Sequence, residues 1–308
     1  MRKALIASAV ATLFAVPSLV SAQAAAPSEH TFTGNMTLTT DYRFRGISQS
    51  FKLPAVQGGI DYSHSSGIYL GTWASSISGN QYPGGAGLEW DFYGGYKFEP
   101  VKDLGLDIGL LYYYYPGAGL WNLDGAAQGG NANAVIGDDG RTKTNNLEWY
   151  VGATYKILSV KYSRTISDFF GVNTKTWGGA CNWNGTVAGN VPVFGANCFG
   201  AAPGGSKGSD YIDATINYPM TEKLTLVAHV GHQRVKNYGK LNYTDYKLGV
   251  NYDLNGWILG GAYVATSADS DFYRVTDNYG GFATGVIPGA KIKDVSKDTL
   301  LFSVTKSF

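Results

Sequence analysis

The chain has 308 residues, including 42 Gly, 22 Tyr, 14 Phe and 7 Trp, and its net charge is +1. Charged residues make 15%, against about 25% in a typical soluble domain. This composition excludes a disordered chain, two Cys exclude a disulfide scaffold or thiolate zinc cluster, 10 Pro without a G-x-y period exclude collagen, and the absence of basic bias argues against a nucleic-acid partner.

Residues 1–22 read as a cleaved signal peptide. Arg2 and Lys3 form a basic start, 4–16 is an apolar run too short to span a bilayer, and Val20-Ser21-Ala22 is a small-residue cleavage site. Removing them leaves 22 Lys and Arg against 23 Asp and Glu. Residues 23–31 then form a periplasmic N-terminal segment, and 32–308 a β-barrel domain. No apolar run long enough for a transmembrane helix follows.

Twelve segments show the two-residue alternation of barrel strands: 32–45, 55–63, 67–76, 88–98, 105–115, 146–157, 158–167, 209–218, 223–234, 243–253, 256–266 and 298–308. In the first, Phe32, Met36, Leu38, Tyr42 and Phe44 share one face, while Asn35, Thr37, Thr39, Asp41, Arg43 and Arg45 share the other. In 88–98, Leu88, Trp90, Phe92, Tyr96 and Phe98 oppose Glu89, Asp91, Tyr93 and Lys97. Segments 67–76 and 256–266 are apolar or small on both faces.

Short connections at 63–67, 99–103, 157/158, 219–223 and 253–256 alternate with long ones at 46–54, 77–87, 116–145, 168–208, 235–242 and 267–297. Sorting of loops by parity is expected of an outer-membrane barrel with short periplasmic turns and long external loops. A β-sandwich has no reason to sort its loops this way. The fold class is therefore an all-β, transmembrane, antiparallel up-and-down barrel of about 12 strands, with both termini periplasmic. Tyr62, Tyr96, Phe98, Tyr155, Tyr218, Tyr252 and Phe308 fall at periplasmic strand ends, and Tyr42, Phe44, Trp90, Tyr112, Tyr114 and Trp149 near outer ends, as two interfacial belts.

The last segment places Leu300, Phe302, Val304 and Phe308 on one face and stops on Phe308. It resembles the C-terminal signal of bacterial outer-membrane proteins, which implies barrel-assembly machinery as a partner. The stretch Asp41-Tyr-Arg-Phe-Arg-Gly-Ile-Ser-Gln-Ser50, with Pro54–Tyr62, Gly67–Ser76, Glu89–Tyr96 and the ending Phe302–Phe308, resembles the TorF-type porins of bacteria. That resemblance implies an outer-membrane barrel and a pore. It supplies no functional residues.

The inferred lumen face carries Asp41, Arg43, Arg45, Asp61, Glu89, Asp91, Lys97, Asp107, Glu148, Lys156, Lys161, Asp213, Lys223, Asp245 and Lys247. The constriction candidates are Asp41, Arg43, Arg45, Asp61, Glu89, Asp91, Asp107 and Glu148, with Arg43 and Arg45 foremost. Arg is a forked donor for carboxylate or phosphate, and each Arg could instead pair with Asp41, Asp61 or Asp91. Cys181 and Cys198 share one external loop, where an exported protein permits a disulfide.

Enzyme signals are poor, so no catalytic residue, metal or cofactor is expected. His229 and His232 point to opposite faces of a strand, and His30 and His64 lie in separate terminal and turn positions. Asp138-Asp139 and Asp269/Asp271 read as solvated loop charges. The expected function is passive diffusion of small hydrophilic solutes through a barrel held in outer-membrane lipid. The alternative is a non-conducting barrel that acts as a receptor or adhesin through its long loops.

Overall fold

The computed structural model describes residues 28–79, 86–121, 141–177, 204–276 and 292–308. Twelve antiparallel strands close into one barrel. They are β1 (His30–Thr39), β2 (Ala55–His64), β3 (Ile68–Ser76), β4 (Leu88–Val101), β5 (Leu104–Tyr114) and β6 (Asn146–Tyr155), then β7 (Leu158–Thr165), β8 (Asp210–Pro219), β9 (Leu224–Arg234), β10 (Tyr243–Leu254), β11 (Trp257–Thr266) and β12 (Thr299–Ser307). Each strand pairs with its neighbours in the chain, and β12 returns to pair with β1. Residues 1–22, Cys181, Cys198 and Asp138-Asp139 lie outside the described residues.

Polarity follows the pleat and is inverted relative to a soluble protein. Leu38, Ile60, Leu110, Leu248 and Phe302 point outward and are more than half exposed. Thr37, Asp91, Glu148, Asn251 and Ser303 point inward and are buried. Large aliphatic side chains displayed all round the outside are stable only against lipid, because water would leave them uncompensated. No helix among the described residues is long and apolar enough to cross a membrane. The chain crosses with strands.

The two ends of the barrel differ. Connections of two to four residues join β2–β3, β4–β5, β6–β7, β8–β9 and β10–β11. In the β10–β11 turn Asn255 and Gly256 have φ of 53° and 84°, the paired left-handed conformation that an Asn-Gly hairpin supplies. The remaining connections are long. Their described parts pack together: Leu120, Val172, Val235, Tyr238, Leu241 and Phe272 form one apolar cluster, and Ile47, Phe51, Tyr243, Val275 and Val295 a second.

Two expectations are corrected. The alternation extends the first strand to residue 45, but β1 ends at Thr39 and residues 41–51 turn into the lumen. Tyr42 and Phe44 therefore belong to no outer belt. The Tyr42 ring meets Trp73 edge-on at 5.4 Å, and Phe44 meets Tyr113 at 5.4 Å. The alternation runs unbroken through residue 40, so period alone hides the exit from the wall. Lys156 and Lys223, read as lumenal, are exposed in short turns, where the ammonium stays in water.

Leu248 sits mid-strand on the outward face. Leu248→Arg is expected to lower unfolding free energy in lipid vesicles by about 2–4 kcal/mol. Urea titration of the refolded barrel checks this, and an unchanged midpoint would contradict a lipid-facing Leu248.

Candidate functional site

The lumen is narrowed by a small hairpin that grows out of the loop after β1. Arg43–Phe44 pairs antiparallel with Ile47–Ser48 across the turn Arg45-Gly46. Both turn residues are left-handed, with φ of 47° and 80°. Gly46 is required twice over, since a Cβ there would stand 2.6 Å from Thr266 Cγ2 and 2.7 Å from Asp245 Cβ. The tip of the hairpin thus rests on the wall at β10–β11.

The base of the hairpin is held by Asp41. Its carboxylate accepts from Arg43 Nε at 2.7 Å, Ser48 Oγ at 2.6 Å and Ser50 Oγ at 2.9 Å. Arg43 Nη1 donates to the carbonyls of Gly46 at 2.9 Å and Val295 at 3.1 Å, tying the hairpin to the long connection before β12. Tyr42 donates to Glu89 at 3.0 Å.

Arg45 bridges β6 and β9. Its guanidinium donates to Glu148 Oε2 on β6 and to Gln233 Oε1 on β9, both at 2.7 Å, and lies over the Tyr211 ring at 4.3 Å. Glu148 also accepts from Asn146 at 3.0 Å and from Tyr113. Burial opposes the Arg45 charge, and the adjacent Glu148 carboxylate compensates it. The bridge is an ion pair inside the barrel.

The eight proposed constriction residues divide accordingly. Asp41, Arg43 and Arg45 lie in the hairpin rather than along a strand, and Arg43 pairs with Asp41. Arg45 pairs with Glu148 and not with Asp41, Asp61 or Asp91. Glu89 and Asp91 line the buried wall beside Tyr42 and Tyr93. Asp61 and Asp107 accept from Tyr93 at 2.6 Å and Tyr69 at 2.7 Å.

Of the inward-facing tyrosines only Tyr93 is assigned to the polar face from sequence, and Gln233 is not singled out. Tyr69 also hydrogen-bonds Tyr150, and Tyr211 donates to Asp245 at 2.9 Å. Their signal was strand parity, since each stands in step with the polar face. His229 points inward to Tyr211 and Asp245, whereas His232 points outward to Thr244. A small cavity beside the hairpin is lined by Arg43, Arg45, Tyr211, His229, Asp245 and Lys247. Such a wall offers charge, forked donors and aromatic faces to a hydrophilic solute. The other ring nitrogen of His229, Nδ1, is hydrogen-bonded to Thr215 Oγ1 at 2.8 Å.

A family model described as "Bacterial protein of unknown function (Gcw_chp)" matches residues 23–308. The chain belongs to this family. No curated protein matches the sequence. Among solved structures it is similar to the KdgM porin in complex with disordered oligogalacturonate, at 8% identity and TM-score 0.43, covering 90% of this chain and 99% of that one. It is also similar to the NanC porin, at 9% identity and TM-score 0.42, with the same coverage of 90% and 99%. A third is OccAB2 of Acinetobacter baumannii, at 9% identity and TM-score 0.35, covering 83% of this chain and 55% of that one.

Arg45→Met leaves Glu148 buried without its cation and is expected to cost about 3–5 kcal/mol of stability. The double variant Arg45→Met/Glu148→Met should recover most of that loss. Chemical unfolding of the four proteins measures the coupling, and additive losses would remove the bridge as a coupled pair.

Proposed function

We propose that the protein is a bacterial outer-membrane channel that passes small hydrophilic solutes through a lumen constricted by the residue 41–50 hairpin. The observation that carries this reading is the wall around the hairpin. Arg43 Nη2, Asp91 Oδ1, Asp213 Oδ2 and Asn251 Oδ1 are buried and find no protein hydrogen-bond partner. These atoms are spread over several strands and the hairpin. Burying polar and charged side chains is costlier than packing apolar ones, so an inward face built from them suits a hydrophilic lumen rather than a dry core. A hydrated path lined by both signs of charge selects by width and by charge placement. The resemblance to TorF-type porins, densest in residues 36–115, agrees with this reading. In it the short turns and both termini face the periplasm.

The apolar packing of the long connections favours a second reading. A barrel closed at that end would display its loops as a receptor or adhesin, with the hairpin as a fixed plug.

Planar-bilayer recording of the refolded protein separates the two. The channel reading expects single-channel steps from the wild type. It also expects a larger conductance when residues 42–49 are replaced by a short Gly-Ser linker, and a shift toward cations in Arg45→Ala. Silence in the wild type with steps only in the linker variant would establish the plug and overturn passive diffusion. Silence in both would also overturn it.

A further inference from the structure

Far from the hairpin, at the short-turn end, the fold joins three metal-ligating side chains that are scattered in the sequence. We propose that Glu29, His30 and His64 form a binding site for a zinc-type divalent transition-metal cation on the outer rim of the barrel. The site is on the outward face and is independent of whether the lumen conducts.

Strand register brings the two histidines together. His30 opens β1 and His64 closes β2, and the two stand directly opposite each other in the antiparallel pair. Directly opposed side chains share a face and lie within reach of one another. The two imidazoles are 5.2 Å apart between centroids and tilted by 54°. Glu29 joins them because its carbonyl accepts from the backbone of Ser65 at 2.9 Å, which holds the chain before β1 against the β2–β3 turn. Its Oε1 lies 3.1 Å from His64 Nε2.

One ligand atom from each of the three residues lies within 4.8 Å of the others. Ligand atoms on a zinc tetrahedron with bonds of about 2.0–2.1 Å stand roughly 3.4 Å apart, so rotation of the exposed Glu29 and His30 side chains closes the set.

The surroundings orient both rings for this. His30 Nδ1 is hydrogen-bonded to Tyr62 Oη at 2.9 Å, and His64 Nδ1 to Ser66 Oγ at 2.7 Å. A hydroxyl on Nδ1 accepts the ring proton in the tautomer that turns Nε2 toward a metal, the usual outer support of a metal-binding histidine. His64 Nδ1 also lies 3.1 Å from the Ser66 backbone nitrogen, so metal entry at Nε2 moves the single ring proton from Nε2 to Nδ1, where Ser66 Oγ accepts it. Two imidazoles and one carboxylate suit Zn²⁺, Ni²⁺ or Cu²⁺ and are poor ligands for Ca²⁺ or Mg²⁺. Three protein ligands leave a fourth position for water.

The test is calorimetric titration of Zn²⁺ into untagged, refolded barrel in detergent micelles, with Mg²⁺ as comparison. One Zn²⁺ per chain is expected, with Mg²⁺ giving no saturable binding. His30→Ala and His64→Ala should each weaken binding at least about tenfold, with a smaller loss for Glu29→Gln. His232→Ala, on the same outward face elsewhere, should bind as the wild type does. All four positions are at the surface, and the heat-dependent gel shift of the folded barrel verifies each variant. Absence of saturable Zn²⁺ binding in the wild type would overturn the site. So would wild-type affinity in folded His30→Ala and His64→Ala.

Discussion

Closure of the strand ring is the constraint on which the rest of the structure depends. Lipid offers no hydrogen bonds, so an unpaired strand edge in the membrane strands a row of backbone groups. Here the ring is sealed by β1 and β12, from Asn35 against Ser307 to Thr39 against Ser303. Gly34 N donates to Phe308 O at 2.7 Å, and Phe308 N returns to Gly34 O at 3.0 Å. The seal thus extends to the last residue. A Cβ on Gly34 would stand 2.5 Å from the Phe308 ring, so the absence of a side chain at 34 makes room for the terminal aromatic. β1 and β12 form one seam, and neither completes its hydrogen bonding without the other.

A closed ring with lipid outside must turn its other face into a confined polar space. Tyr suits that space because its ring fills volume while its hydroxyl meets a partner. Tyr69, Tyr93 and Tyr211 each donate to a carboxylate on a nearby strand, Asp107, Asp61 and Asp245 respectively. Lys97 lies over the Tyr69 ring at 4.2 Å and stands opposite Asp107 in register. The interior is therefore a lattice of rings, acids and bases rather than a hydrophobic core. The high Tyr content has two sources, the interfacial belts and this lattice, and composition alone cannot separate them.

Strand spans, parity and the sorting of loops were legible because they are local: a period of two and a turn such as Asn255-Gly256 are written in neighbouring residues. The inward face was legible for the same reason, and it picked out Glu89, Asp91 and Glu148 as well as Asp213 and Asp245. What stayed hidden depends on distance or on continuity. The exit after Thr39 leaves no mark, since Asp41, Arg43 and Arg45 keep the phase of the strand they have left. The partner of Arg45 lies 103 residues away, and closer acids were equally plausible by charge. His30 and His64 meet only through the β1–β2 register, which a position-by-position reading does not supply.

The hairpin is held on three sides, and this bears on how the lumen could change its width. Arg45 binds β6 and β9 through Glu148 and Gln233. Arg43 binds the Val295 carbonyl, and Lys293 Nζ donates to the Phe51 carbonyl at 2.9 Å, so the connection before β12 grips both flanks of the loop. Ser48 N donates to the same Val295 carbonyl at 2.9 Å. A movement of the hairpin away from β6 would break the Arg45–Glu148 bridge and leave two buried charges unpaired, a large penalty in a confined space. It would also have to carry residues 293–295 with it or break their hydrogen bonds. The lumen therefore has no cheap gradual opening. A wider lumen needs the hairpin and the connection before β12 to move together as one body between two discrete arrangements.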